Sequence, residues 1–360
     1  MKYAAIVLRN TNTPISTVRY GEVVDAFLSG GVPLDEVAVL SYADRNAVTV
    51  TLTRLASECD GVFFICDRVL MPFAKDAVSG LSGRNFSGEC LLETEKTLFG
   101  VLPASKQGSE LVKEECIPAV DKRRGKTYYK LVLRTVAAPA ERVFSAIASA
   151  REASRDRVTI HTFEEFGAGR IELVYDQDTP KTSVDEAVRI LSTELNDYVY
   201  SHEDESVAHR LFTVLKLHRM KLATAESFTG GGVGHAVVEI PGASKVFFEG
   251  INAYSNEAKM ARLGVTEYTL KKFGAVSNET AYEMAAGLLK GGKCDLAVAT
   301  TGIAGPDADG TDKPVGLCYI AVGTLDRVRV FRFLLNGDRE AVTKRATNLA
   351  LFLAYKEVNG

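Results

Sequence analysis

Short apolar runs alternate with longer amphipathic segments along this chain, and this alternation restricts its fold more than any other feature. Near the N-terminus, residues 4–8, 37–41 and 60–65 have the length and composition of buried strands, and residues 18–28 and 47–57 between them have helical spacing. Strand, helix, strand, helix, strand is the order of a parallel sheet covered by helices. We therefore predict an α/β fold for this part of the chain.

The next part of the chain predicts a small α+β module. Residues 128–136 alternate as a strand, and a helix is predicted over 139–150, with its proline in the first turn, where the missing N–H costs nothing. Residues 158–163 and 169–176 predict an antiparallel pair of strands. A long amphipathic helix is predicted over 183–200.

A polar segment, residues 201–206, marks a boundary before the last part of the chain, where the alternation returns. The predicted strands are 221–225, 246–253, 296–300, 316–323 and 327–335. The predicted helices are 207–218, one that begins at 229, 256–263, 278–290 and 339–358. Glycine and threonine follow several of these strands, and open α/β sheets bind ligands at such strand ends.

The charge balance argues against nucleic acid as a partner. The chain has 43 Lys and Arg against 46 Asp and Glu, a net charge of −3. Its densest basic run, residues 122–126, is short, and we interpret it as a solvated turn. A nucleic-acid-binding protein needs a larger basic face. No apolar run approaches the ~20 residues that span a bilayer, so a membrane is not an expected partner either.

The cysteines and histidines predict no metal and no cofactor. The six cysteines are dispersed without a Cys-x-x-Cys pair, and the five histidines show no ligand spacing. Dispersed cysteines in apolar strands favour a reducing compartment. The N-terminal apolar run is too short for a signal peptide, so we expect a cytoplasmic protein.

The most informative motif is Thr224–Gly232, where a predicted strand ends, Ser227 is presented and three glycines open a helix. Glycine lets the backbone approach a ligand closely, and N–H groups at a helix start can hold an oxyanion or a phosphate. Thr229, Gly230 and Gly231 are therefore candidate binding residues. A plain helix N-cap uses the same residue types, so this motif alone leaves both interpretations open.

Lys259 is a candidate base. Ser255 or Asn256 can cap the helix predicted over 256–263, which places Lys259 in its first turn. The positive end of the helix dipole disfavours an ammonium group there, and burial would lower the pKa of the lysine further. A lysine that is neutral near pH 7 can take a proton from a serine. The alternative is a solvated surface lysine.

Three further segments bring hydroxyls, glycines and cations to predicted strand ends. These candidates are Thr300, Thr301, Gly302 and Gly305 after one strand, Lys313 before the next, and Arg339 at the start of the last helix. Such groups suit a phosphate or a ribose, and an arginine can clamp a phosphate with two hydrogen bonds. Turn chemistry and a surface ion pair would explain the same residues.

Together these motifs resemble the C-terminal domain of the CinA family, competence/damage-inducible proteins whose stand-alone relatives are nicotinamide-nucleotide amidases. The matching pieces cover nearly all of residues 207–360 in order. They are 224–231, 241–244, 254–259, 274–277, 301–306, 313–316 and 337–339.

The resemblance implies hydrolysis of the carboxamide of nicotinamide mononucleotide to nicotinate mononucleotide and ammonia, in pyridine nucleotide salvage. The family's serine, tyrosine, lysine and arginine fall on Ser227, Tyr254, Lys259 and Arg339. Lys259 is then expected to deprotonate Ser227, directly or through Tyr254, while amides around Thr229–Gly231 hold the oxyanion. The expected partners are a pyridine nucleotide and a second copy of the chain in a homodimer.

The chain also departs from the family pattern. Phe228 stands where the family commonly has cysteine, and Asp307 and Asp309 lie in a run that is usually rich in glycine. In the first domain, Asp67–Pro72 replaces the family's glycine-rich ligand loop, so we expect no ADP-ribose pyrophosphatase activity. The degenerate first domain and the two acids, Asp307 and Asp309, favour an alternative, a non-catalytic nucleotide-sensing or partner-binding protein that keeps the fold.

The expected architecture is α/β with three domains. A C-terminal three-layer α/β/α amidase domain, residues 204–360, follows a small α+β domain of KH type, residues 127–200. A shortened α/β domain of molybdopterin-binding type, residues 1–122, comes first.

Overall fold

The structure, a computed structural model, describes residues 1–10, 17–87, 90–308 and 312–359. Its described residues form two compact units. The first unit contains residues 1–131, 154–159 and 172–185, and the second contains residues 132–153, 160–171 and 186–360. The expected division into three domains stays a prediction.

The first unit is built on a mostly parallel sheet. Its strands are β1 (Tyr3–Arg9), β2 (Glu36–Ser41), β3 (Gly61–Cys66), β4 (Leu91–Glu93) and β5 (Leu98–Pro103). They pair in the order β2-β1-β3-β5-β4, and only β4 is antiparallel to its neighbour. The helices are α1 (Thr17–Ser29), α2 (Arg45–Glu58), α3 (Met71–Ser82), α4 (Lys106–Leu111) and α5 (Ile117–Arg124), and a π-helical turn joins α4 to α5. The predicted parallel arrangement of the first three strands is confirmed.

The basic run over residues 122–126 was predicted as a solvated turn, and this prediction is wrong for Arg123 and Arg124. Arg124 ends α5, and Gly125 follows with a φ of 65°, the left-handed conformation that commonly terminates helices. The helix dipole favours cations in this last turn. Arg123 donates to the carbonyl oxygen of Lys96 at 2.9 Å, and Arg124 donates to that of Gly31 at 2.8 Å. These arginines therefore stabilise the packing of the first unit.

A four-stranded sheet lies between residues 128 and 201. Its strands are β6 (Tyr128–Val136), β7 (Thr159–Glu165), β8 (Ala168–Asp176) and β9 (Val199–Ser201), in the order β7-β8-β6-β9. Its helices are α6 (Ala140–Ala153) and α7 (Lys181–Glu194). The helix predicted to reach residue 200 ends at Glu194, because the chain turns there and enters β9, which pairs with β6. The KH-type assignment stays a prediction.

The second unit contains a five-stranded mixed sheet. Its strands are β10 (Leu222–Glu226), β11 (Phe247–Asn252), β12 (Leu296–Gly302), β13 (Leu317–Gly323) and β14 (Val328–Leu334). The order is β11-β10-β12-β13-β14, with β10 parallel to both of its neighbours. The helices are α8 (Val207–His218), α9 (Gly232–Val238), α10 (Asn256–Leu263), α11 (Glu267–Phe273), α12 (Asn278–Leu289) and α13 (Arg339–Asn359). Within the described ranges, no helix has the length and apolar character needed to cross a bilayer.

Helices cover both faces of this sheet. Side chains alternate between the faces of a strand, so Leu222 and Leu296 pack with α8, α9 and α13, whereas Ala223 and Ala297 pack with α12. The predicted three-layer α/β/α arrangement is confirmed. Because β10, β11 and β12 are parallel, their C-terminal ends lie at one edge of the sheet, where ligands bind in folds of this class.

Candidate active site

Ser227 directly follows β10 and begins the turn that leads to α9. Its N–H donates to the carbonyl oxygen of Thr300 at 3.0 Å, which fixes the turn to β12. Gly230 and Gly231 carry the turn with φ values of 61° and 97°, which glycine adopts without a steric penalty. The side chain of Ser227 is nearly buried. The turn therefore presents the serine at the edge predicted from the sequence.

The helix after β11 places Lys259 as the sequence predicted. Ser255 caps α10, since its hydroxyl accepts from the N–H of Ala258 at 3.1 Å. Lys259 therefore lies in the first turn of α10. It is only 1% exposed, so the alternative of a solvated surface lysine is wrong.

Lys259 Nζ lies 3.1 Å from Ser227 Oγ. It also lies 2.9 Å from the carbonyl oxygen of Ala253 and 3.1 Å from that of Tyr254. A neutral amine can donate its two N–H groups to these carbonyls, and its lone pair can then accept the hydroxyl proton of Ser227. The contacts thus suit a base that acts directly on the serine.

Burial lowers the pKa of Lys259 from 10.5 to about 8. Desolvation penalises the ammonium form, and no carboxylate of the described residues forms an ion pair with this amine to offset that penalty. A substantial fraction of the amine is therefore neutral at weakly alkaline pH. A group of this kind can serve as a general base for a serine.

Glu226 is a site residue that the sequence analysis did not single out. Its carboxylate accepts from the N–H groups of Gly231 at 3.1 Å, Val233 at 3.1 Å and Gly234 at 2.8 Å, and from the hydroxyl of Thr229 at 2.7 Å. The residue is 1% exposed. An acidic residue at the end of a predicted buried strand, directly before the candidate nucleophile, was the available signal in the sequence.

The backbone of the glycine turn is largely engaged inside the protein. Gly230 N–H donates to the carbonyl oxygen of Ser227 at 3.1 Å, and Gly231 N–H donates to Glu226. Of the three amides predicted to hold an oxyanion, only that of Thr229 has no acceptor among the described residues. The other two would have to break these bonds to reach a ligand.

The threonines at the end of β12 are buried and hydrogen-bonded to protein. Thr300 Oγ1 lies 2.7 Å from Thr229 Oγ1, and Thr301 Oγ1 donates to the carbonyl oxygen of Ala275 at 2.7 Å. These hydroxyls hold the neighbouring loops in place. Their direct contact with a ligand stays a prediction.

Arg339 connects two walls of a small cavity. It donates to the carbonyl oxygen of Gly305 at 2.8 Å and to the hydroxyl of Tyr254 at 3.0 Å. The cavity measures about 280 Å³, and its wall consists of Phe228, Tyr254, Gly302, Ile303, Ala304, Gly305, Pro306, Asp307 and Arg339. Phe228 directly follows Ser227 in the sequence, and Tyr254 precedes Lys259 by five positions. The cavity wall therefore includes sequence neighbours of both candidate catalytic residues.

Lys313 binds the loop that precedes α12, and its direct contact with a ligand stays a prediction. Its ammonium donates to the carbonyl oxygen of Phe273 at 2.9 Å and to that of Val276 at 2.6 Å. Of the two acids noted in this part of the sequence, Asp307 lines the cavity and Asp309 lies outside the described residues. No group of three or more His, Cys, Asp or Glu in the part of the chain that the structure describes could hold a metal ion.

Known proteins resemble this chain both in its C-terminal part and over most of its length. The model of the CinA C-terminal domain matches residues 204–358. A putative competence-damage inducible protein of Caldicellulosiruptor bescii is 30% identical over 346 residues, which are 91% of this chain and 82% of that protein. A CinA-like protein of Kosmotoga olearia is 35% identical over 274 residues, 74% of this chain and 66% of the relative.

Other relatives align over shorter lengths. A CinA-like protein of Fusobacterium nucleatum is 42% identical over 174 residues, 48% of this chain and 42% of that protein. The crystal structure of CihA from Agrobacterium tumefaciens is 36% identical, covers 43% of this chain and 94% of its own, and has a TM-score of 0.41. The chain spans less than two thirds of the length of several curated relatives, including those from Kosmotoga and Fusobacterium. Its match to the protein of Caldicellulosiruptor bescii nevertheless extends over most of both sequences, and this chain belongs to the CinA family.

Proposed function

We propose that this chain hydrolyses the carboxamide of nicotinamide mononucleotide to nicotinate mononucleotide and ammonia, as an amidohydrolase of pyridine nucleotide salvage. One observation carries the proposal: the buried amine of Lys259 lies within hydrogen-bonding distance of the hydroxyl of Ser227. Serine is a weak nucleophile at neutral pH and needs an adjacent base. A buried lysine without an acidic partner supplies one.

In the proposed acylation step, Ser227 Oγ attacks the carboxamide carbon while Lys259 takes the hydroxyl proton. The resulting ammonium, held by the carbonyl of Ala253, returns a proton to the leaving nitrogen, and the C–N bond breaks to release ammonia. Water then attacks the acyl-enzyme ester with Lys259 again as the base, which frees the carboxylate product and the serine. A relay through the hydroxyl of Tyr254 is unnecessary, because Lys259 contacts Ser227 directly.

The nucleotide part of the substrate is proposed to bind beside Arg339. The guanidinium group lines the cavity and can hold a phosphate with two hydrogen bonds after releasing Tyr254 or Gly305. Gly302 and Gly305 contribute backbone without side chains to the cavity wall. Asp307 would repel a phosphate, so we expect it to face the ribose or the cationic ring instead. Thr300, Thr301 and Lys313 are proposed to complete the binding site for the nucleotide.

The wider assignments are also proposals. Residues 204–360 would form the amidase domain, residues 127–200 the small linker domain, and residues 1–122 a structural domain without pyrophosphatase activity. The protein would act as a homodimer in the cytoplasm, and the proposed chemistry uses no metal and no cofactor.

Ammonia release tests the proposal. The purified chain should release ammonia from nicotinamide mononucleotide, and the Ser227→Ala variant should not. The alternative, a non-catalytic nucleotide-binding protein, is favoured by one observation, the carboxylate of Asp307 in the cavity wall. Calorimetric binding of the nucleotide without any ammonia release would support that alternative and exclude the hydrolase.

A further inference from the structure

We propose that Glu226 is a positioning residue for Ser227, and that the turn it fixes presents the N–H groups of Phe228 and Thr229 as the oxyanion hole. This inference rests on the proposed hydrolytic function. It concerns a different requirement of the same reaction, the stabilisation of the tetrahedral intermediate rather than the activation of the serine.

The carboxylate of Glu226 binds the turn that follows Ser227 and the start of α9. Oε2 accepts from Thr229 Oγ1, Gly231 N and Val233 N, and Oε1 accepts from Gly234 N. Backbone N–H groups at the start of a helix need acceptors, and here the residue before the nucleophile supplies them. The position of Ser227 between β10 and α9 is therefore set by its own neighbour in the sequence.

This arrangement removes the start of α9 from any contact with substrate. Its N–H groups already serve a buried negative charge that belongs to the protein. An oxyanion formed at Ser227 must therefore be held by other donors. Gly230 N–H is excluded as well, because it donates to the carbonyl oxygen of Ser227.

Two donors remain in the turn. The N–H groups of Phe228 and Thr229 have no acceptor in the described part of the chain, although both residues are buried. In folded proteins most backbone N–H groups of buried residues have an acceptor. In α/β-hydrolases the residue after the nucleophile donates its N–H to the oxyanion, and Phe228 occupies that position here. Both N–H groups thus follow Ser227 directly in the chain and have no acceptor in the described residues, and we assign them to the oxyanion hole on these two grounds.

The carboxylate itself is specifically required. All four of its contacts are donors, and no cation of the described residues forms an ion pair with it. In Glu226→Gln, an NH₂ group would face at least one of these donors in either orientation of the amide. The turn must then shift, and the N–H groups of Phe228 and Thr229 shift with it.

The test compares Glu226→Gln with Glu239→Gln, a matched change in an exposed glutamate at the other end of α9. Ammonia release and the rate at which a fluorophosphonate labels Ser227 are measured for both. We expect kcat and the labelling rate of Glu226→Gln to fall about 10²-fold, the loss typical of one oxyanion donor. KM and the midpoint of the pH profile should stay near native values, since Glu226 does not contact Lys259. Glu239→Gln should match the native protein.

Native kcat or native labelling in folded Glu226→Gln would overturn the inference. If that variant does not fold, Glu226→Asp, which keeps the charge but shortens the side chain, replaces it, and native labelling there would overturn the inference equally. Native protein that is labelled but releases no ammonia would refute the proposed substrate, while the labelling rates would still test Glu226. Native protein that is neither labelled nor active would refute both.

Discussion

The amine of Lys259 and the hydroxyl of Ser227 lie 3.1 Å apart, although 32 positions separate the two residues in the sequence. Ser227 directly follows β10, and Lys259 lies in the first turn of the helix after β11. These strands are parallel neighbours, and Glu226 at the end of one is paired with Asn252 at the end of the other. The sheet topology thus brings together two motifs that local sequence keeps apart.

We predict that Ser227 and Lys259 act as one unit. Ser227→Ala and Lys259→Met should each reduce kcat by a similar large factor, and the double variant should be scarcely slower, because residues that act together are non-additive. Lys259→Arg should not restore activity, since a guanidinium stays protonated. Rates of ammonia release at pH 7 and 9 check this, with Lys271→Met, an exposed lysine, as the control. Multiplicative losses, or an active Lys259→Arg, would remove Lys259 as the base.

The activity should rise with pH. Burial lowers the pKa of Lys259 to about 8, and only the neutral amine can accept the proton of Ser227. We therefore expect kcat to increase between pH 6.5 and 9 ~tenfold or more, with a midpoint near 8 if binding does not move it. A profile of kcat across this range, at saturating nucleotide, is the measurement. A flat profile would argue against this amine as the base.

The lowered pKa of Lys259 should also make the stability of the protein depend on pH. Folding lowers the pKa of Lys259 from 10.5 to about 8, so between these values the unfolded chain binds more protons and stability increases with pH. Below about pH 8 the penalty for burying the amine is fully present. Lys259→Met removes this penalty. The melting temperature of the variant minus that of the native protein should therefore be larger at pH 7 than at pH 10. A difference that does not change with pH would contradict the prediction.

Periodicity and motif spacing were sufficient to predict most of the fold. Apolar runs such as residues 61–65 are continuous because both faces of β3 are covered, and they can hardly be anything but strands. Lys259 was placed correctly because Ser255 is a strong helix cap. The short strand β9 was missed because its three residues continue the apolar spacing of the preceding helix.

The hydrogen-bond partners of backbone groups could not be predicted from the sequence. The glycines after Ser227 suggested free amides, yet Gly231 N–H is bound by Glu226. Whether a backbone donor is free depends on which side chain folds back onto it, and spacing alone contains no such information. The basic run at the end of α5 was misjudged for a related reason, because the carbonyl of Lys96 that Arg123 binds lies 27 residues earlier in the sequence.

Arg339 should affect nucleotide binding more than chemistry. Arg339→Gln removes the cation that lines the cavity, so KM for nicotinamide mononucleotide should rise at least ~10-fold, the effect of losing a charge-assisted bond to phosphate. Nicotinamide riboside lacks the phosphate, so its KM should change much less. Tyr254→Phe removes only the hydroxyl that Arg339 contacts and controls for loss of that bond. Equal effects on both substrates would show that Arg339 does not bind the phosphate.

A substitution in α12, where this helix packs against α10, should lower both stability and activity. Gly287 in α12 lies against the last residue of α10, and a Cβ at this position would be 2.0 Å from the carbonyl oxygen of Leu263. Backbone cannot yield as a flexible side chain can, so Gly287→Ala should destabilise the protein by about 1–3 kcal/mol, the usual penalty for overpacking. The strain falls on α10, the helix that carries Lys259, so kcat should decrease as well.

Gly80→Ala is the matched control for this change. Gly80 also lies within a helix, α3, but a Cβ there would meet nothing within 4 Å. Alanine at an open helical position stabilises by about 0.5–1 kcal/mol. Melting curves should therefore show a lower stability for Gly287→Ala and a higher stability for Gly80→Ala. Ammonia release should show a lower kcat for Gly287→Ala only. A Gly287→Ala variant with native stability and native kcat would mean that α10 can shift without moving the amine of Lys259 away from Ser227.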